Sequence, residues 1–492
     1  MKLLTRVLLG CVFSAGMVGL APARLNYSAF IEEIDQLHEK GALAEADRRV
    51  QETLEKESLK PEQRNALEYE LERSRRIRRD YPLTEKKLIK SLKEGIRDFR
   101  VEEFRQWEQE ERFDRKMIDG EKRFVRPSRS NLFFRYPELR SRRITPAGTK
   151  LEDFLWNHYQ EILAEYRRPA QSTVKPRRFQ LKMTITVEPD AVPKGQAIRC
   201  WMPYPQQFEA QSDVRLLSAT PEVSWINAPR YPMRSLYFEQ PSAGDGETVF
   251  QADYLLTTYP RYNPIDPARI SMLNRMHPEF GYFLRQKKPH VLFEPQIIAL
   301  AREIVGAEHN PYVIARQLYD WMSENIQYSY AREYSTLRNI SLYTCTHRYG
   351  DCGQQALLFI TLCRSQGIPA RLQSGWVLYP MLTDLHDWVE IYLEPYGWIP
   401  VDVNFAQMIE QDVTGLTREQ KNKLKDFYFG GLDAYRLVVN SDHGYPHYPG
   451  KESFRSDDVD FQRGELESGG KNLYFDQFDY ALEVEYLDES DS

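Results

Sequence analysis

The sequence predicts an α+β architecture. A cysteine-bearing helix packs on an antiparallel sheet, preceded by an all-β sandwich-like domain and an N-terminal helical region. Three observations predict it. Apolar residues recur at helical spacing from about Tyr27 to Tyr166. Strict alternation takes over in "FQLKMTITV", "SLYFEQ" and "VFQADYLL". Beyond Pro289 an apolar helix, "CGQQALLFITLC", is followed by the strand-like runs "LQSGWVLY", "DWVEIYL", "GWIPVDVN" and "AYRLVVN".

The first 23 residues read as an export signal. Lys2 and Arg6 form a basic start, Val7 to Leu20 an apolar run, and Ala21-Pro22-Ala23 a small-residue cleavage pattern. The run is short for a membrane span, which needs roughly 20 apolar residues. An uncleaved anchor and a lipoprotein-type box at "LLGC", ending on Cys11, are the alternatives. No other stretch is long and apolar enough to span a bilayer, so the expected location is periplasmic, cell-surface or secreted. A chain of 492 residues has room for about three domains, and 41% hydrophobic with 28% charged residues excludes disorder as the default. A net charge of −6 argues against a nucleic-acid partner.

Residues 24–168 form the helical region. "YSAFIEEIDQLHEK" places Phe30, Ile31, Ile34 and Leu37 on one face, with Gly41 to end the helix. Pro61 suits a first helical position, and Thr84 can cap the helix of "LTEKKLIKSLKEGI". The basic run "RSRRIRRD", Arg73 to Asp80, reads as a solvated helix face. The basic, aromatic stretch Gly120 to Arg143 reads as packing against a neighbouring domain. "RRPAQSTVKPRR" is a linker by its Pro, Ser and Thr content, and residues 176–260 form the sandwich. Residues 289–440 form the core. Residues 441–492 are a C-terminal extension with one strand, "QFDYALEVEYL", and an acidic tail.

The cysteine helix carries the chemistry. Asp351 is a good cap, Gly367 and Pro369 stop the helix, and Cys352 stands in the first turn. Unpaired N–H groups and the helix dipole favour an anion there, so the thiolate is the expected form. Cys363 lies deeper along the same face and reads as core. His386 opens a strand whose turn, "EPYG", brings Asp402 back on the next strand. A cysteine on a helix start, a histidine on a strand and a carboxylate beyond the turn supply nucleophile, base and orienter. Asn404 is the rival orienter. A Cys345–Cys352 disulfide is a third possibility for the thiol, seven residues apart in an exported chain. His443 and His447 lack a ligand set around them, so no metal and no cofactor is expected.

"YGDCGQQALLFITLCRSQGIPARLQSGW" followed by "HDWVEIYLEPYGWIPVD" resembles the transglutaminase-like core, a branch of the papain-like cysteine enzymes. The resemblance covers roughly a third of the chain. It implies Cys352 as nucleophile, His386 as general base and acid, and Asp402 as the orienting carboxylate. Oxyanion or substrate-side candidates are Tyr328, Tyr343, Thr346, Gln354, Gln355, Trp388 and Asn404, with the Cys352 N–H as first donor. The implied reaction is acyl transfer from a protein or peptide amide. Hydrolysis is the expected outcome, with amine transfer or a non-catalytic binding module as alternatives. Calcium sites of the animal cross-linking enzymes are not in this sequence's pattern. Nothing in the sequence sets the oligomeric state.

Overall fold

The computed structural model describes residues 26–56, 58–145, 151–166, 176–271 and 278–487. The signal segment, the "LLGC" box, most of the linker and the last residues of the acidic tail lie outside them. Among the described residues no helix is long and apolar enough to cross a membrane. The chain divides into two compact units, residues 1–74 and 75–492.

The first unit holds helices α1 (Tyr27–Lys40), α2 (Leu43–Lys56) and the start of α3 (Pro61–Asp80). Asn26 caps α1 by accepting from the Ala29 N–H, and Gly41 ends it at φ 74°. Phe30, Ile34, Ala46, Val50 and Leu67 meet as one apolar cluster. Arg73 is buried here rather than solvated, bonded to Asp35 at 2.8 Å.

The second unit opens with α4 (Glu85–Gly95) and α5 (Val101–Gln109). A hairpin of β1 (Arg115–Ile118) and β2 (Glu121–Phe124) follows, where only helices were expected. Its turn is Asp119-Gly120, both at positive φ, the geometry that matches the twist of the flanking strands. Helices α6 (Ser128–Arg135) and α7 (Leu151–Tyr166) complete the region. The basic stretch packs inward: Asn131 donates to the Tyr330 carbonyl and Arg140 pairs with Asp412. Arg76 is also buried, over the Tyr474 ring, whereas Arg75, Arg78 and Arg79 stay part-exposed, so the run is solvated only in part.

The sandwich strands are β3 (Arg177–Val187), β4 (Ala197–Pro203), β5 (Gln211–Thr220), β6 (Trp225–Ile226), β7 (Ser235–Pro241) and β8 (Thr248–Thr258). Alternation places Phe179, Leu181, Met183, Ile185 and Val187 inside. Short β9 (Arg261–Tyr262) leads to α8 (Pro278–Phe283), α9 (Pro295–Val305), α10 (Pro311–Asn325), β10 (Gln327–Tyr328), α11 (Ile340–His347), β11 (Tyr349–Gly350) and α12 (Cys352–Ser365). Strands β12 (Ala370–Tyr379), β13 (Leu382–Leu393) and β14 (Gly397–Val401) follow, then α13 (Val403–Gln411), α14 (Arg418–Phe427), β15 (Gly431–Leu432) and β16 (Arg436–Asn440).

The core sheet is antiparallel in the order β14-β13-β12-β16. Ala370, Leu372, Val389 and Ile391 form one apolar row of it and pack with α12, which is buried from Gly353 to Arg364. The C-terminal stretch holds three strands, not the one expected: β17 (Glu465–Ser468), β18 (Lys471–Leu473) and β19 (Phe478–Leu487). They enter the sandwich, giving sheets β18-β17-β4-β7-β6 and β19-β3-β8-β5. β19 pairs along the whole of β3 and covers an edge that would otherwise stand open.

Candidate active site

Asp351 caps α12: its Oδ1 accepts from the Gln354 N–H at 3.0 Å, and Gln354 reaches back to the Asp351 N–H. This fixes Cys352 at the first helical position. Cys352 is part-buried, and its Sγ donates to Asp387 Oδ2 at 3.6 Å. Cys352 is a free thiol, as are Cys200, Cys345 and Cys363, so no Cys345–Cys352 disulfide exists in this structure.

His386 and Asp387 are consecutive on β13 and therefore alternate in face. Asp387 belongs to the row of Val389 and Ile391, beside α12. His386 shares the face of Trp388 and Phe405, with ring centroids at 5.8 and 5.0 Å. Its Nε2 meets Asp402 Oδ2 at 2.9 Å. Asp402 follows β14 and caps α13, its Oδ1 accepting from the Phe405 N–H at 3.0 Å. Arg436, from β16, donates to the same Asp402 oxygen that meets His386, at 2.8 Å. Burial opposes the Asp402 charge, but His386 and Arg436 outweigh it and hold the carboxyl below its usual range. An ionised Asp402 requires the proton on His386 Nε2, which leaves Nδ1 as the basic nitrogen. No hydrogen bond joins the thiol to the imidazole: Cys352 is bonded to Asp387, and His386 to Asp402.

Burial and the neighbouring acids oppose the thiolate that the helix start favours. Burial pushes the Cys352 thiol well above its ordinary value, and the carboxyls of Asp387 and Asp351 add to the rise. The field of a helix start is worth about 1 kcal/mol. Burial is the largest cause of the rise, and it pushes the Asp351 and Asp387 carboxyls up as well.

Residues 298–403 match the family model of the transglutaminase-like superfamily. This segment is a transglutaminase-like core. Among solved structures, a chain provisionally named a cysteine protease from Cytophaga hutchinsonii is 17% identical, with a TM-score of 0.41 over 65% of this chain and 93% of its own. The periplasmic domain of TgpA from Pseudomonas aeruginosa is 16% identical, with a TM-score of 0.27 over 52% of this chain and 94% of its own. No curated protein matches.

The remaining candidates of the transglutaminase-like core separate. Tyr328 lies beside the site: β10 pairs with β11 and sets Tyr328 opposite Gly350, two residues before Cys352. Burial first, then Cys352 and Asp351, push its phenol up, so it is a neutral O–H donor. Tyr343 instead donates to Tyr349 at 3.4 Å, and Thr346 is exposed and bonded to Gln296. Gln354 completes the helix cap and is buried, and Gln355 donates to the Gly350 carbonyl, so neither faces solvent as an exposed helix residue would. Trp388 is buried with its indole N–H on Gln373. Asn404 is buried without a bond to His386, so the orienting carboxylate in contact is Asp402.

Four residues escape a reading of the sequence alone. Asp387 holds the thiol. Arg436 holds Asp402, and its signal was a lone charge in an apolar strand. Tyr334 donates to Asp351 Oδ1 at 2.8 Å. Gln462, from the C-terminal stretch, donates through Nε2 to the carbonyls of Gly375 and His386 and to Asp387 Oδ1, at 2.9, 3.0 and 3.2 Å. His443 and His447 are buried beside the cations Lys287 and Arg364, and Arg455 and Lys451, respectively. In the first unit, Asp35, His38 and Glu70 come within ligand distance of one another, with the Arg73 guanidinium against all three.

Proposed function

We propose that the chain is an exported thiol acyl-transfer enzyme acting on protein or peptide amides, with hydrolysis as its outcome. The observation that carries this reading is the buried, Arg436-backed His386–Asp402 pair, one residue along β13 from the group that holds Cys352. Export rests on the basic, apolar and small-residue segments of the first 23 residues.

Cys352 is the nucleophile. Its side chain turns from Asp387 towards His386 Nδ1, which takes the S–H proton as the sulfur attacks the amide carbonyl. The C–N bond breaks, the imidazolium gives its proton to the leaving amine, and a thioester remains. Water then attacks, again losing its proton to Nδ1, and the carboxylic acid and free thiol are released. The Cys352 N–H at the helix start and the Tyr328 O–H are the donors for the oxyanion. Asp402 keeps the imidazole in the required tautomer and stabilises its cation.

The test offers a mixture of peptide amides to the full-length protein in the presence of hydroxylamine. A thioester intermediate yields peptide hydroxamates, and their formation is lost in Cys352→Ser and His386→Ala. Without hydroxylamine, free carboxylate marks hydrolysis, and incorporation of an added lysine amine marks transfer. Hydroxamate formation that survives Cys352→Ser overturns the reading.

A further inference from the structure

The proposed function leaves one buried acid unused. Asp387 ends a row whose other members, Val389 and Ile391, are wholly buried against the α12 side of the sheet. Burial opposes an unpaired carboxylate in such a row and pushes the Asp387 carboxyl up. No Lys or Arg pairs with it among the described residues. Its partners are the Cys352 thiol on Oδ2 and the Gln462 amide on Oδ1.

The backbone is shaped around this acid. Gly353 is the second residue of α12, a position that the helix itself does not reserve for glycine. A Cβ at that position would lie 2.6 Å from Asp387 Oδ2 and 2.2 Å from the Tyr334 hydroxyl. Glycine therefore admits Asp387 to the thiol. Gln462 ties it from the other side while bonding the backbone of the two paired strands at Gly375 and His386.

We propose that Asp387 is a positioning residue that parks the Cys352 thiol in its S–H form, away from His386, and that Gln462 holds Asp387 in that place. This deepens the acyl-transfer reading and rests on it for its catalytic meaning. The parked thiol donates to Asp387 Oδ2, and burial with Asp460 and Asp351 pushes the Asp387 carboxyl up as well, so the pair holds on to its protons and a thiolate is disfavoured there. Release requires the S–H···O contact to break and the sulfur to turn to His386 Nδ1, where its proton is taken only as it attacks. The other charged groups around the pair act in the same sense. Asp351 from the helix cap and Asp460 from the C-terminal stretch disfavour charge on Cys352 and on Asp387 alike, and Asp402 adds to this at Asp387. Tyr328 and Tyr334 face the site as neutral phenols. Arg463 is already paired with Glu333 and Asp457.

The experiment is the pH profile of Cys352 alkylation by iodoacetamide in the full-length protein, read by peptide mass. The wild type is expected to react with a midpoint above the free-cysteine value of about 8.5. Asp387→Asn, which keeps the shape and removes the ionisable acid, is expected to lower the midpoint and raise the rate at pH 7 at least tenfold. Gln462→Leu is expected to move the profile in the same direction by less. A wild-type midpoint below 8.5 overturns the proposal outright. So does an unchanged profile in Asp387→Asn at native circular dichroism. Where Asp387→Asn fails to fold, an unchanged profile in Gln462→Leu decides against it. The readout needs no substrate: a shifted profile without hydroxamate formation keeps the parking role and sinks the enzyme reading, and the reverse result sinks the parking role alone.

Discussion

Arg436 and Asp402 form a fully buried ion pair 2.8 Å apart, and the oxygen that Arg436 meets is the one that also meets His386 Nε2. The guanidinium reaches Asp433 as well, at 2.9 Å. One cation from β16 thus offsets two carboxylates that burial would otherwise neutralise. Removing it leaves both uncompensated, which typically costs 3–5 kcal/mol. Arg436→Met is therefore expected to lower the free energy of urea unfolding by about that amount. A loss below about 1 kcal/mol would mean the pair is not the anchor of this corner.

Asp402→Asn separates the charge of the orienter from its shape. The amide can still accept from the Phe405 N–H, so α13 keeps its cap. It also offers an N–H where the imidazole needs an acceptor, and the ring is held in the wrong tautomer. Turnover of an amide substrate is expected to fall by about two to four orders of magnitude with little change in KM. Asn404→Ala, two residues on and without a bond to His386, is expected to leave turnover within a few-fold. The opposite ranking would make Asn404 the orienter.

Much of this corner is legible in the sequence, and the parts that are not share one cause. His386 and Asp402 are sixteen residues apart across a single tight turn, and the β13–β14 register, continued one step past Val389↔Val401, brings Asp402 diagonally beside His386. The α12 cap is local and reads directly from Asp351 and Gln354. Asp387 was hidden because alternation assigns it to the face opposite His386, and only the packing of α12 gives that face a thiol. Gln462 was hidden because it lies some seventy-five residues beyond the strand it ties. The β1–β2 hairpin is a different case: its turn, Asp119-Gly120, is a local signal that lies inside a charged region whose apolar spacing is otherwise helical. β19 is legible from its alternation, whereas β17 and β18 are short, and the acids of β17, Glu465 and Glu467, are buried against Lys451 and Arg199 from other segments.

The acids around the site give the protein a stability that depends on pH. Asp457 is buried, and burial pushes its carboxyl up to about 7, with Arg463 pulling it down and Asp458 adding to the rise. In the unfolded chain an Asp titrates near 3.9. Between these values the folded protein keeps a proton that the unfolded chain has lost. The stabilisation from this group is complete below about pH 4 and is lost as pH rises through about 7. Asp457→Asn cannot lose that proton, and its amide oxygen can still accept from the Val459 N–H. The variant's unfolding free energy relative to wild type is expected to rise by about 2–4 kcal/mol between pH 4 and pH 8. Urea titrations at four pH values check this, and a flat difference would show that Asp457 is ionised in the fold throughout.

Gly375 is where the core sheet allows no side chain. It pairs with His386 across β13 and sits at the irregularity between β12 and β16. A Cβ there would lie 1.7 Å from the Leu437 carbonyl oxygen and 2.8 Å from its carbon. Both are backbone atoms, so relief requires β16 to move away from β12, and β16 carries Arg436. Overpacking of a core usually costs about 1–3 kcal/mol. Gly375→Ala should reach or exceed the upper end, because no side chain can turn aside. It should also weaken the hold on Asp402, lowering turnover beyond what the stability loss explains. Gly397→Ala is the control. That glycine has φ 79° with open space around its missing Cβ. Its substitution should cost only the backbone strain of about 1 kcal/mol and leave turnover unchanged. Equal losses in the two variants would mean that the close approach at Gly375 is relieved without cost, and that Arg436 does not depend on it for its position.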